Sequence, residues 1–169
     1  MKLQESAISL GILRRSRQDT IVPTFKNVVL FFTKNEKGQI IDLYGRSINV
    51  NGSGKHFYLN GSHQGIYPGY PDPDTRKLIL TECIIDCETL RQQESITNEF
   101  GMMSLYGTNG FTLEHAEAIR TLPELNEVIL FFDGDEGGRE AVTRISEKVR
   151  AIKSDILITN VETPDNEDI

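Results

Sequence analysis

The run Glu127-Val-Ile-Leu-Phe-Phe-Asp-Gly-Asp-Glu-Gly-Gly-Arg-Glu-Ala141 leaves few options for the chain that contains it. Residues 128–132 are apolar throughout and meet turn chemistry directly, which is how a strand buried on both faces of a parallel sheet reads. Asp133 and Asp135 flank Gly134 where the strand gives out. Beyond Gly137 and Gly138, the residues Ala141, Val142, Ile145, Val149 and Ile152 recur at helical spacing. Strand, acidic turn and helix in that order put two carboxylates at the carboxyl end of a strand, where open α/β sheets bind ligands. Taken alone, Asp-Gly-Asp is more often a polar turn closing on a helix N-cap, because Asp favours both places. The rest of the chain has to decide.

The same grammar holds from Lys77 onward. Residues 78–80 read as a first strand leading through Thr81-Glu82 into a helix that runs to about Glu94. A second strand lies near 102–105, and Tyr106-Gly-Thr-Asn-Gly110 turns into a helix with Thr112 as N-cap and Glu114 in its positive first turn. Residues 128–132 form the third strand, 137–152 the third helix and 156–159 the fourth strand. Strict βαβαβαβ alternation predicts an α/β fold, a parallel four-stranded sheet with helices on both faces and right-handed crossovers. In the order 2-1-3-4, strands one and three adjoin at the switch point, so Glu82, Asp133 and Asp135 share one crevice. Asp86 stands one helical turn after Glu82, on the same face, and joins them. Carboxylates so close repel one another unless a cation lies between them. Oxygen-only ligands suit Mg²⁺ or Mn²⁺, and two such ions about 3.5–4 Å apart would clamp the attacking and leaving oxygens of a phosphoryl transfer.

Upstream, the pattern is antiparallel β. Residues 28–33 and 40–44 form a hairpin around Asn35-Glu-Lys-Gly38; Gly45-Arg46 interrupts it, and 47–50 resume the sheet. Residues 56–59 add a short strand, and Pro71-Asp-Pro-Asp74 reads as the connection to the parallel unit. Residues 1–23 carry no assigned fold, and Arg14, Arg15 and Arg17 there read as a solvated turn.

Charge divides the chain the same way. Residues 1–76 hold ten Lys/Arg against six Asp/Glu, and 77–169 hold eight against nineteen. The acidic half fits carboxylates gathered for divalent cations, while the small basic excess is weak support for nucleic-acid contact. No apolar run is long enough to span a bilayer and no signal-peptide core is present, so a cytoplasmic protein with no membrane partner is expected. Cys83 and Cys87, four apart on a predicted helix beside Leu90, read as buried thiols. His56, His63 and His115 read as surface or capping residues.

Glu82 together with Asp133-Gly-Asp135 resembles the Toprim domain, the metal-binding fold shared by bacterial-type primases, topoisomerases and certain nucleases. The local wording is most similar to bacterial DnaG-type DNA primases: Glu82-Cys-Ile-Ile-Asp86, Leu105-Tyr-Gly-Thr108 with Thr112-Leu-Glu-His115, and Asp133-Gly-Asp-Glu-Gly-Gly-Arg-Glu-Ala141. Upstream, Phe25-Lys-Asn-Val-Val-Leu-Phe31, Gly38-Gln-Ile-Ile-Asp-Leu-Tyr-Gly-Arg46 and Tyr58-Leu-Asn60 resemble the end of the basic subdomain of the primase core. The resemblance implies residues 24–74 as a remnant of that subdomain and 75–169 as a Toprim domain short at its carboxyl end. It implies template-directed synthesis of RNA primers by nucleotidyl transfer, with Glu82, Asp133 and Asp135 holding Mg²⁺ or Mn²⁺. Asp86 and Asp168 would support a second ion or the incoming triphosphate. Arg46, Lys26, Lys55 and Asn60 would contact nucleotide or nucleic acid. The implied partners are a single-stranded DNA template, NTPs and primer RNA, with a replicative helicase reached through regions this chain lacks.

The departures are specific. Cys83 replaces the glycine after the glutamate, and Val28 stands where an arginine is expected. Phe57 and Pro68 occupy positions where lysines are expected, Lys55 lying two residues early. With no Cys/His zinc module or helicase-binding region, the chain reads as an excised piece or a truncated homologue of a primase-like protein, with a phage or mobile element as one source and a chromosome as the other. A Toprim nuclease using the same acids, and an inactive fragment that binds metal, nucleotide or DNA, are the alternatives. A receiver-like domain would need a Lys at a later strand end, where Thr159-Asn160 stands.

Overall fold

The computed structural model describes residues 2–49, 54–161 and 163–164. The first elements are α1 (Lys2–Ser9) and a small hairpin of β1 (Leu13–Arg15) and β2 (Ile21–Pro23). No residue of α1 is buried, which is why residues 1–23 showed no periodicity to read. Next come β3 (Val28–Lys34), β4 (Ile40–Ser47) and β5 (His56–Tyr58), an antiparallel sheet in the order β3-β4-β5. Gly45-Arg46 does not interrupt this sheet: both residues sit inside β4, Gly45 opposite Leu30 and Arg46 opposite Val29. The Phe25 ring lies where a Cβ on Gly45 would have to go, so the glycine admits a ring instead of breaking the strand. Ser47 ends β4, so the expected resumption over 47–50 is not found at Ile48 and Asn49, and Val50 lies outside the described residues.

The parallel unit follows as β6 (Lys77–Thr81), α2 (Ile84–Arg91), α3 (Glu94–Thr97), β7 (Gly101–Ser104), α4 (Leu113–Arg120), β8 (Glu127–Phe131), α5 (Glu136–Ile152) and β9 (Leu157–Val161). The sheet order is β7-β6-β8-β9, all parallel, which is the expected 2-1-3-4. The helix expected to run to Glu94 stops at Arg91, and a second short turn begins at Glu94. The fourth strand starts and ends later than expected, at Leu157 and Val161.

Alternation along the strands builds two cores. Leu78, Leu80, Val128 and Leu130 point to one face, where Ile119 of α4 and Ala141, Ile145 and Val149 of α5 cover them. Ile79, Met102 and Ile129 point to the other, against Ile84, Cys87 and Leu90 around α2 and Tyr44 of the small sheet. The second face is therefore closed by a helix and an antiparallel sheet together. Tyr67 bridges antiparallel to Ser104 on the β7 edge, and Lys34 to Ile66, so the 64–67 segment fastens the small sheet to the large one. The Phe31 ring meets Tyr44 at 5.8 Å and Tyr67 at 5.7 Å across the same seam. No described helix is long and apolar enough to cross a membrane.

Candidate functional site

At the carboxyl edge of the parallel sheet, β6 and β8 run side by side, Thr81 pairing with Phe131. The chain leaves β6 through Glu82 and β8 through Phe132 to Asp133, so adjacent parallel strands deliver both acids to the same lip. Glu82 is pinned by its main chain, Gly107 N–H donating to its carbonyl at 3.0 Å. Its side chain turns toward the Asp-Gly-Asp turn and receives a hydrogen bond from the backbone of Asp133. Oε2 of Glu82 is nevertheless buried with no hydrogen-bond partner among the described residues. Burial first, then the charges of Asp133, Asp135 and Asp86, push the Glu82 carboxyl up to about 7. Such an orphaned anionic oxygen among like charges is what a hard divalent cation would relieve.

The other acids contribute unequally. Asp135 is the N-cap of α5, its Oδ1 accepting Gly138 N–H at 2.7 Å. The polar-turn reading of Asp-Gly-Asp therefore holds for one oxygen of Asp135, while the exposed carboxylate keeps a second. Asp86 is buried at the third position of α2 and takes the Cys83 N–H on Oδ2 at 2.8 Å, completing that helix's cap. It lies near enough to act on Glu82, with one oxygen committed to the helix. Among the described residues, no three His, Cys, Asp or Glu side chains are posed around one ion. Asp168 lies outside the described residues.

Two glycines set the shape of the turn. A Cβ on Gly134 would stand 2.0 Å from the Pro164 carbonyl, and one on Gly138 2.1 Å from the Asp133 carbonyl. The 163–164 segment thus passes directly over Gly134, and Thr163 Oγ1 donates to the Phe132 carbonyl. Arg139 reaches back to the Gly134 carbonyl at 2.8 Å.

Of the basic residues, Arg46 and Lys55 meet at one end of the small sheet, where Ser47 N–H donates to the Lys55 carbonyl at 2.9 Å. Lys26 joins that end, its neighbour Asn27 accepting the Ile48 N–H at 3.0 Å. Asn60 does not, because it leaves β5 beyond Tyr58, at the opposite end. Sequence reasoning missed His56: Arg46 Nη1 lies 2.9 Å from its Nε2 and the Tyr44 hydroxyl 3.0 Å from its Nδ1. Burial and the charges of Arg46 and Lys55 lower its pKa. The signal was available, since Tyr44-x-Arg46 and His56-x-Tyr58 each place two such side chains on one strand face.

The cysteine expectation needs correction, and the capping role expected of His115 holds. Cys83 lies outside the helix, as the N-cap of α2, and only Cys87 is fully buried. Burial pushes both thiols up to about 12, so neither is a reactive thiolate. His115 does cap α4 but is fully buried, between the Thr112 hydroxyl at 2.7 Å and the Ser104 carbonyl at 3.0 Å.

The Toprim-like family model matches residues 79–169. A DNA primase from Listeria monocytogenes is 28% identical over 144 residues, covering 78% of this chain and 21% of that protein. One from Haemophilus influenzae is 25% identical over 179 residues, covering 96% of this chain and 28% of that protein. The chain thus spans between a fifth and three tenths of these curated relatives. Among solved structures, a DNA primase domain from Pseudomonas aeruginosa superposes with TM-score 0.76 at 22% identity, over 99% of this chain and 53% of that one. The zinc-binding and RNA polymerase domains of Aquifex aeolicus primase give 0.78 at 20%, over 99% and 41%. These structural likenesses fix the fold.

Proposed function

Because the chain belongs to the Toprim-like family, we propose that it is catalytic-core sequence of a DNA primase-like protein, acting in metal-dependent synthesis of RNA primers on single-stranded DNA. In this reading residues 75–169 are the Toprim domain, 24–74 the remainder of a basic subdomain, and 1–23 a leading segment of unassigned role. The observation that carries it is the turn of Glu82 toward Asp133, which joins acids 51 positions apart at one sheet lip. Sequence relatives that are DNA primases support the choice of reaction.

Glu82, Asp133 and Asp135 would hold Mg²⁺ or Mn²⁺, with Asp86 behind them. Bound there, the cation would neutralise phosphate charge and lower the cost of deprotonating a primer 3′-hydroxyl. The protein's own part is positional. The Asp133 backbone orients Glu82, Asp135 ties the turn to α5, and Asp86 fixes the start of α2. Arg46, Lys55 and Lys26 would draw phosphates to the small sheet, while Asn60 would contact the strand from its other end. Base pairing with the template would supply sequence information. A helicase partner would be reached through other parts of a longer protein.

The test is incubation with Mn²⁺, NTPs and a labelled primer on a single-stranded template. Extension by wild type, lost in Asp133→Asn and Asp135→Asn, is expected. Shortening of the labelled strand would identify a nuclease instead. Mn²⁺-dependent binding of template without either product would identify a binding fragment. Asn is also a good N-cap, so Asp135→Asn removes charge while α5 keeps its start.

A further inference from the structure

The segments Leu105-Tyr-Gly-Thr108 and Thr112-Leu-Glu-His115 supply none of the candidate metal ligands, yet both close on one stretch of chain from the small unit, residues 64–65. The Gln64 carbonyl is where the two units meet. Thr33 of β3 donates its hydroxyl to that oxygen at 2.7 Å, and the Tyr106 hydroxyl, from beyond β7, approaches it at 2.8 Å. Tyr106 lies equally close, at 2.8 Å, to the Gly65 carbonyl, and Glu114 of α4 accepts the Gly65 N–H on Oε2 at 2.7 Å. Gly65 turns there at φ +79°, where a side chain would meet the Lys34 backbone at 3.0 Å, so bare peptide groups face both residues. Each of the two is aimed from behind. The Tyr106 ring stacks on His63 at 4.8 Å and meets His115 edge-on at 5.7 Å. His115 ties α4 to the end of β7 through the Ser104 carbonyl, which fixes the helix that carries Glu114.

We propose that Glu114 and Tyr106 are positioning residues, a clamp on the Gln64–Gly65 peptide that sets the basic end of the small sheet against the acidic lip. The inference rests on the metal-dependent nucleotidyl-transfer reading and adds to it what holds the two halves of the site in register. The connection is continuous in both directions. On one side, Lys34 and Ile66 exchange backbone hydrogen bonds at 3.0 and 2.9 Å, and β3 pairs along β4, which carries Arg46. On the other, Gly107 follows Tyr106 and its N–H holds the Glu82 carbonyl; Thr108 comes next, its carbonyl accepting Arg144 of α5 at 2.8 Å. One loop therefore touches the small unit, the glutamate and the helix that Asp135 caps. A second attachment remains when the clamp is cut. It consists of the Ser104 N–H donating to the Tyr67 carbonyl and of the Phe31, Tyr44 and Tyr67 rings. With that seam alone, the small sheet can rock about it, and Arg46 and Lys55 leave their place relative to Glu82. A template held by phosphates on one unit and by a cation on the other needs both places fixed. When only a fraction of molecules is in register, apparent affinity falls by that fraction while turnover at saturation is kept.

The experiment uses the full chain with nitroxides at two exposed positions, Lys37→Cys on the hairpin turn and Glu147→Cys on α5. The background is Cys83→Ser, Cys87 being fully buried. Pulsed electron resonance then reads the distance distribution between the two units. Glu114→Ala and Tyr106→Phe should each broaden it. Glu114→Gln, whose amide oxygen still accepts the Gly65 N–H, should keep the wild-type distribution. Unlabelled proteins are assayed for primer extension with Mn²⁺ and NTPs. Glu114→Ala should raise the template KM about tenfold, the factor for losing one hydrogen bond to a charged group, and Tyr106→Phe less. In both, kcat and Mn²⁺ affinity should be unchanged, and Glu114→Gln should restore the wild-type KM. A lower kcat at an unchanged KM would mark only a loss of folded protein and would overturn the proposal. So would a wild-type distance distribution in both Glu114→Ala and Tyr106→Phe. Broadened distributions in variants of a protein that extends no primer as wild type would uphold the clamp and sink the nucleotidyl-transfer reading.

Discussion

Glu82 is costly to keep ionised in the protein without a cation. Its carboxyl is pushed up to about 7, chiefly by burial and then by Asp133, Asp135 and Asp86, from an ordinary 4.5. The folded state therefore holds an extra proton between those values. The stability this contributes is complete below about 4.5 and is lost as pH rises through about 7. His115 works in the opposite sense. Burial lowers it from 6.5 to about 4, so its contribution is present above 6.5 and is lost as pH falls toward 4. The two slopes oppose each other where the windows overlap, which makes wild type alone a poor reporter. The difference between Glu82→Gln and wild type isolates the carboxyl. Without metal, the variant's melting advantage should grow steadily from pH 4.5 to 7 and then level off. Millimolar Mg²⁺ should raise the wild-type melting temperature at pH 8 and leave the variant unmoved. A flat difference curve would remove the electrostatic argument for the site.

The Asp-Gly-Asp turn shows how an element is shaped by what crosses it. Gly134 lies under Pro164, and Gly138 lies against the Asp133 carbonyl, both at separations no side chain tolerates. Gly137 between them has only ordinary contacts, at 3.4 and 3.6 Å. Gly134→Ala should therefore displace the 163–164 segment and cost about 1–3 kcal/mol in urea unfolding. Gly137→Ala should gain about 0.5–1 kcal/mol, because it only removes chain freedom in a helix. Equal effects at both positions would contradict the packing described. The elements of the parallel unit were legible because strict alternation, apolar strands and the Thr112 cap all pointed to one topology. Gly45-Arg46 misled because glycine usually marks a break, and the Phe25 ring that explains it is twenty residues away in sequence. The burial of His115 was invisible because it depends on the Ser104 carbonyl at the end of β7, outside its own helix. The double role of Asp135, cap and acid, was visible only as two competing readings that prove compatible.

At the scale of the whole molecule, the basic first part and acidic second part face each other across one seam. The small sheet closes a face of the parallel sheet, which carries Arg46 and His56 to Cys83 and so to the lip bearing Glu82. That arrangement would place phosphate-attracting charge on the small sheet across the seam from cation-holding carboxylates on the parallel one. The account depends above all on the acids of β6 and β8 sharing one cation. The direct measurement is an anomalous difference map at the manganese edge from a crystal soaked in Mn²⁺. The account predicts a peak within coordination distance, about 2.1 Å, of carboxylate oxygens from both Glu82 and the Asp133–Asp135 turn. A map with no peak there, or a bound ion that Glu82 does not reach, would contradict it.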